Sequence, residues 1–217
     1  MSSGLQKLLT WLSPAFPVGA FAWSAGLETT IAQGIVSDQQ TTGEWIAGSL
    51  EHGGLKNDAI FLAQAHVGFA EAQRLAYLSE LCLALTPSSE RQAETLQTGS
   101  AFRLAVEAWP APAAVLPDAC PYPIAVGALA GGHSIDPRET LVAFLTATVH
   151  GQVSVAVRLV PIGQAAGLSI MAGLEPAISR MADWSLDASL DDLGSVPYGA
   201  DIAQMQHETL TTRIFRS

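Results

Sequence analysis

"PRETLVAFLTATVHGQVSVAVRLV" occupies residues 137–160 and decides the fold class. Apolar side chains recur on almost every side of a helical projection of this stretch, without the alternation of a half-buried strand. In a chain that folds in water, such a helix must be surrounded by neighbours on most of its faces. Its start is written in "SIDPRET" (134–140), where Asp136 is placed to cap, Pro137 sits at the first helical position and Glu139 at the third. A membrane span is the competing reading of residues 140–160. His150, Gln152 and Arg158 interrupt it and Pro161 follows at once, so a buried core helix is expected instead.

Working outward, helical periodicity continues on both sides. On the N-terminal side, a short amphipathic helix at residues 5–12 is ended by "SPAFPVG" (13–19), because two prolines fix φ and lack the N–H that a helix interior needs. Helices are then expected at about residues 21–33, closed by Gly34, and 42–52, closed by Gly53 and Gly54. Asn57 or Asp58 caps the next, which runs to about residue 69 and resumes to 85. Ser89, with Gln92 three residues on, has the form of a capping box for a long helix over 89–109. Five prolines make 110–123 an irregular connection, followed by a short apolar helix at 124–130. Beyond the central helix, one helix is expected from Pro161 to about residue 181, and a last one over about 200–215. The expected fold is all-α, a single-domain compact helical bundle over residues 1–217. Within it, residues 185–217 are read as a flexible acidic loop plus a C-terminal docking helix.

Composition limits what such a bundle can do. The chain of 217 residues has 10 Lys+Arg against 20 Asp+Glu, a formal charge of −10, which opposes binding to nucleic acid or to an anionic membrane. With 49% hydrophobic and only 14% charged residues, apolar surface must remain after the core is filled, and that points to protein partners. Cys82 and Cys120 stand far apart, so neither a disulfide framework nor a zinc site is indicated and a reducing cytoplasm fits. The N-terminus lacks the pattern of a cleaved signal peptide.

A search for chemistry returns little. Neither a Gly-x-Ser-x-Gly elbow, nor a phosphate-binding Gly-x-x-x-x-Gly-Lys-Ser/Thr loop, nor a dinucleotide fingerprint is present. No catalytic set, cofactor or metal site is therefore assigned. The closest approach to one is "QMQHETLTTRIFRS" (204–217), in which His207 and Glu208 carry metal-ligating donors. Adjacent helical residues point roughly 100° apart, so this pair converges poorly on one ion. A metal-dependent enzyme using the His207–Glu208 region is the competing functional reading. Arg213 and Arg216 could simply complement the C-terminal end of the last helix dipole. Ala203, Leu210 and Ile214 make only a thin apolar stripe, so this helix would gain little by packing on its own domain. Residue type alone makes Glu28 a solvated side chain and Arg158 a snorkelling one. Arg158 must be paired or opened to water to be tolerated on so apolar a helix.

Three stretches together resemble the urease accessory protein family UreF: "LSPAFPVGAFAWSAGLE" (12–28), "VAVRLVPIGQAAG" (155–167) and "HETLTTRIFRS" (207–217). They stand in the family's order and spacing. The resemblance implies an all-α, non-enzymatic protein that forms a homodimer and serves as a scaffold in urease maturation. It would join UreD (also called UreH) and the nickel-carrying GTPase UreG on apo-urease, supporting GTP-dependent nickel insertion and regulating the GTPase. Glu28 matches the Glu of the family's Gly-Leu-Glu motif, and Arg158 a basic position before its Leu-x-Pro-x-Gly-Gln. Both are implied to contact the GTPase or line a polar path, while His207, Glu208, Arg213, Phe215 and Arg216 are implied to order against UreD. Ala25 and Thr211 depart from the family pattern, which often has Gln at the first of these places and commonly Tyr at the second.

Overall fold

The computed structural model describes residues 2–110, 115–196 and 198–217, so four residues of the proline-rich connection (111–114) and residue 197 lie outside the description. Ten α-helices and no strand are found among the described residues: α1 (Ser2–Trp11), α2 (Leu27–Ala32), α3 (Gln39–His52), α4 (Gly54–Val67), α5 (Ala72–Ala84), α6 (Ser89–Ala105), α7 (Tyr122–Gly132), α8 (Pro137–Leu159), α9 (Gly163–Asp187) and α10 (Tyr198–His207). The fold is all-α, as the sequence implies.

The stretch that decides the fold class begins as its residues dictate. Asp136 Oδ1 accepts the Glu139 backbone N–H at 2.9 Å, with Pro137 at the first helical position. α8 then buries Leu141, Phe144, Leu145, Val149, Val153 and Ala156 at helical spacing, and it packs mainly on α9, α4 and α2. By length and composition α8 could cross a membrane, but half of its most apolar window is buried inside the bundle. The tightest helix pair is α4 with α7. Gly127 makes it possible, since a Cβ there would lie 2.2 Å from the Leu62 carbonyl oxygen. At the other end of the core, Trp11 meets Phe102 and Trp109 edge to face, with centroids 5.9 and 6.0 Å apart, pinning α1 to α6 and the turn after it.

Several local expectations are corrected. The helix expected over 21–33 is broken: a 3-10 turn (Ala20–Ala22) is followed by Ala25 and Gly26 at φ +53° and +81°, and only then does α2 begin. α4 starts at Gly54 with Gly53 as its cap, so Asn57 and Asp58 lie inside it, and Asn57 accepts the Gly194 N–H instead. α6 is capped by Ser88, whose side chain accepts the Arg91 N–H, rather than by Ser89 with Gln92. α9 continues past residue 181 to Asp187, with Pro176 inside it. Ser189 and Asp192 then form a reciprocal capping box on a 3-10 turn (Leu190–Asp192). The last helix ends at His207, not near residue 215, because the chain turns away there to bond to other elements.

Candidate functional site

The left-handed turn at Ala25 and Gly26 lets α10 lie against the start of α2. A Cβ on Gly26 would come within 2.9 Å of the Gln204 side chain and 3.0 Å of its backbone nitrogen. That close approach places Glu28, in the first turn of α2, under the C-terminal segment. Glu28 is buried, and its carboxylate meets three nitrogens. Oε1 accepts the Ile214 N–H at 2.7 Å, Oε2 accepts the Phe215 N–H at 3.0 Å, and His207 Nε2 lies 2.9 Å from Oε2.

The second wall of the site is the first two turns of α6. His207 Nδ1 lies 2.6 Å from Glu90 Oε2, and the other oxygen of Glu90 accepts from the Arg213 guanidinium. Glu208 turns outward and accepts the backbone N–H and hydroxyl of Ser89 at 2.8 and 2.7 Å, at the N-terminus of α6. Those two bonds favour the ionised form and hold the Glu208 carboxyl below its ordinary range. One helical turn further, Glu94 accepts from the Ser217 hydroxyl at 3.3 Å and pairs with Arg91 at 3.1 Å. Arg91 also pairs with Asp58 on α4 at 2.6 Å, where burial pushes the carboxyl upward against the pull of the guanidinium. Beyond Phe215 the chain is stitched to the α1–α2 connection. Arg216 N–H donates to Ala22 O at 2.8 Å, and the Ser217 carbonyl accepts from both the N–H and hydroxyl of Ser24.

Phe215 is buried in a small apolar cluster with Leu27, Val36, Val155, Ala156 and Val160. Around it stand two guanidinium groups. Arg216 lies over the Trp23 ring at 4.5 Å from its centroid, and Arg158, exposed in the last turn of α8, lies 5.9 Å from the Phe215 ring. Among the described residues neither has an ion-pair partner, a condition shared only with Arg74, which donates to Gln64 instead, whereas Arg91, Arg103, Arg138, Arg180 and Arg213 each have one. A shallow pocket of about 300 Å³ opens beside Arg216, lined by Trp23, Glu90, Ala93, Arg213, Phe215 and Arg216.

Of the residues singled out in the sequence, the structure brings Glu28, Arg158, His207, Arg213, Phe215 and Arg216 to one end of the bundle, and sends Glu208 to the adjoining helix. Glu28 is not a solvated side chain. The dipole account of Arg213 and Arg216 does not hold, because α10 ends at His207, well before either. His207 and Glu208 point to different partners rather than to one ion, and among the described residues no three His, Cys, Asp or Glu side chains are placed so that they could hold a metal ion. The segment does pack on its own domain, through carboxylates and ring faces that an apolar-stripe reading does not count. Glu90, Glu94, Ser24 and Trp23 were missed. The only sequence signal for the first two is their i, i+4 spacing on one face of α6.

Residues 36–175 match the UreF family model. The chain is 48% identical over 214 residues to the urease accessory protein UreF of Rhizobium johnstonii, covering 98% of this chain and 96% of the relative. It is 46% identical over 216 residues to that of Agrobacterium fabrum, covering 99% and 97%. With that of Rhodopseudomonas palustris it shares 44% identity over 224 residues, covering 100% and 92%. The alignments to these relatives span both halves of the site, whereas the family model stops short of Glu28 and of the C-terminal segment.

Proposed function

The chain belongs to the UreF family of urease accessory proteins, which gives it a role in urease maturation, and from that premise we propose that it works as a scaffold. In this reading it joins UreD/UreH and the GTPase UreG on apo-urease, supports GTP-dependent nickel insertion and regulates the GTPase. It acts in the cytoplasm, as a homodimer, and performs no bond chemistry of its own. Nickel is cargo here, not a resident cofactor.

The observation that carries this reading is the pair Arg158 and Arg216. In a chain of net charge −10, two guanidinium groups without ion-pair partners among the described residues flank Phe215 at one end of the bundle. Arg stacked on aromatic faces keeps its planar donors free for carboxylates or phosphates. Such a surface supports docking to an acidic partner, with Arg213 at its edge and the buried residues Glu28 and His207 holding it from beneath. Glu208 anchors the same segment from the α6 side.

The test is co-expression of the chain with UreD and UreG. A three-component complex should co-purify with the full chain and be lost when residues 208–217 are removed. Intact assembly with the truncated chain would refute the docking role.

A further inference from the structure

The side chain of His207 is fully buried, and each of its ring nitrogens meets a carboxylate oxygen of a different helix: Glu28 of α2 at 2.9 Å and Glu90 of α6 at 2.6 Å. A neutral imidazole has one N–H donor and one acceptor, while an ionised carboxylate only accepts. One of the two contacts would then set two acceptors against each other. A proton on either carboxylate would relieve this, but both carboxylates already serve other donors. Glu28 takes the Ile214 and Phe215 N–H groups, and Glu90 takes the Arg213 guanidinium. Donors aimed at a carboxylate favour its charged form. The proton therefore belongs on the ring.

We propose that His207 is an imidazolium clasped between ionised Glu28 and Glu90, and that this clasp positions the C-terminal segment, with Glu90 as a positioning residue. With Arg213 counted, the four groups carry two negative and two positive charges. No buried charge in the set is left uncompensated. α10 has few other means of attachment, since Ala203, Gln204 and His207 are its buried side chains. The two outer arms then fix residues 213–215 through Arg213 on Glu90 and two backbone N–H groups on Glu28. Phe215 and Arg216 are aimed as a result. The inference deepens the docking reading and rests on it only for the consequence in assembly.

The test uses the full chain alone, labelled with ¹⁵N-histidine. At neutral pH the His207 side chain should give the nitrogen shifts of a doubly protonated ring, and a neutral tautomer would overturn the proposal. Glu90→Gln should remove that signature. It should also speed amide exchange across residues 208–217 by about tenfold or more, the size expected for one charge-assisted bond. Amides of α4 and α7 should stay protected, separating release of the segment from global unfolding. Unchanged exchange at 208–217 in this variant would equally overturn it. If Glu90→Gln does not fold, the wild-type ring shifts still decide. Wild type with a doubly protonated His207 that fails to co-purify with UreD and UreG would leave the clasp standing and remove the docking reading.

Discussion

Both oxygens of Glu28 accept backbone N–H groups from residues 214 and 215, and one also meets His207, so the side chain acts as a receptor for the end of its own chain. Glu28→Ala should leave the Nε2 side of the His207 ring and the Ile214 and Phe215 N–H groups without their acceptor. Breaking a buried, hydrogen-bonded charge pair costs about 3–5 kcal/mol. Native-state amide exchange at Ile214 and Phe215 is expected to rise accordingly, and unchanged protection there would contradict the assignment. Glu208 gives a prediction in pH. Its folded-state carboxyl is depressed by the Ser89 hydroxyl and N–H, so its contribution is present above the ordinary glutamate range and is lost as pH falls through the lowered value. Acidification should therefore free the Ser89 amide before the core amides of α4, measured by exchange across a pH series, and Glu208→Gln should abolish that early step. The sequence pointed to Glu28 and His207 through motif likeness. It did not reveal that they meet, because 179 residues separate them and neither periodicity nor charge order encodes so distant a pair.

The elements were legible where their signals are local. Asp136, Pro137 and Glu139 define the start of α8 through contacts within four residues, and the structure keeps each of them. The break before α2 was not legible, since Ala25 adopts φ +53°, a conformation alanine disfavours, at the turn where α10 packs against Gly26. Helix contact also predicts opposite signs for two similar substitutions. Gly127→Ala forces a Cβ to 2.2 Å from the Leu62 carbonyl oxygen and must push α7 off α4, an overpacking cost of about 1–3 kcal/mol or more. At roughly 2–4 °C per kcal/mol for a chain of this size, its Tm should fall by several degrees. Gly173→Ala, in α9 with open space around the added carbon, should instead raise stability by about 0.5–1 kcal/mol. Thermal unfolding followed by circular dichroism distinguishes the two. Equal shifts would mean that the α4–α7 contact is looser than described.

At the scale of the whole molecule, an apolar bundle with a net charge of −10 places Arg158 and Arg216, neither with an ion-pair partner among the described residues, at the end where the C-terminal segment is fastened. Composition alone led to a partner-binding protein, and the three motif stretches led to the family. What neither could give was the support beneath the surface, where α6 contributes Ser89, Glu90 and Glu94 to hold residues that lie more than a hundred positions later. Arg158→Glu and Arg216→Glu should each weaken recovery of the proposed complex with UreD and UreG while leaving Tm within a few degrees, since neither guanidinium satisfies a buried charge. Loss of folding in either variant would show instead that the arginines serve the bundle. The most direct measurement is urease activity in nickel-supplied cells that carry urease and its other accessory proteins but lack their own UreF. The full chain should restore activity, and the chain ending at His207 should leave urease at the level of cells without it. Equal activation by the truncated chain would contradict the account.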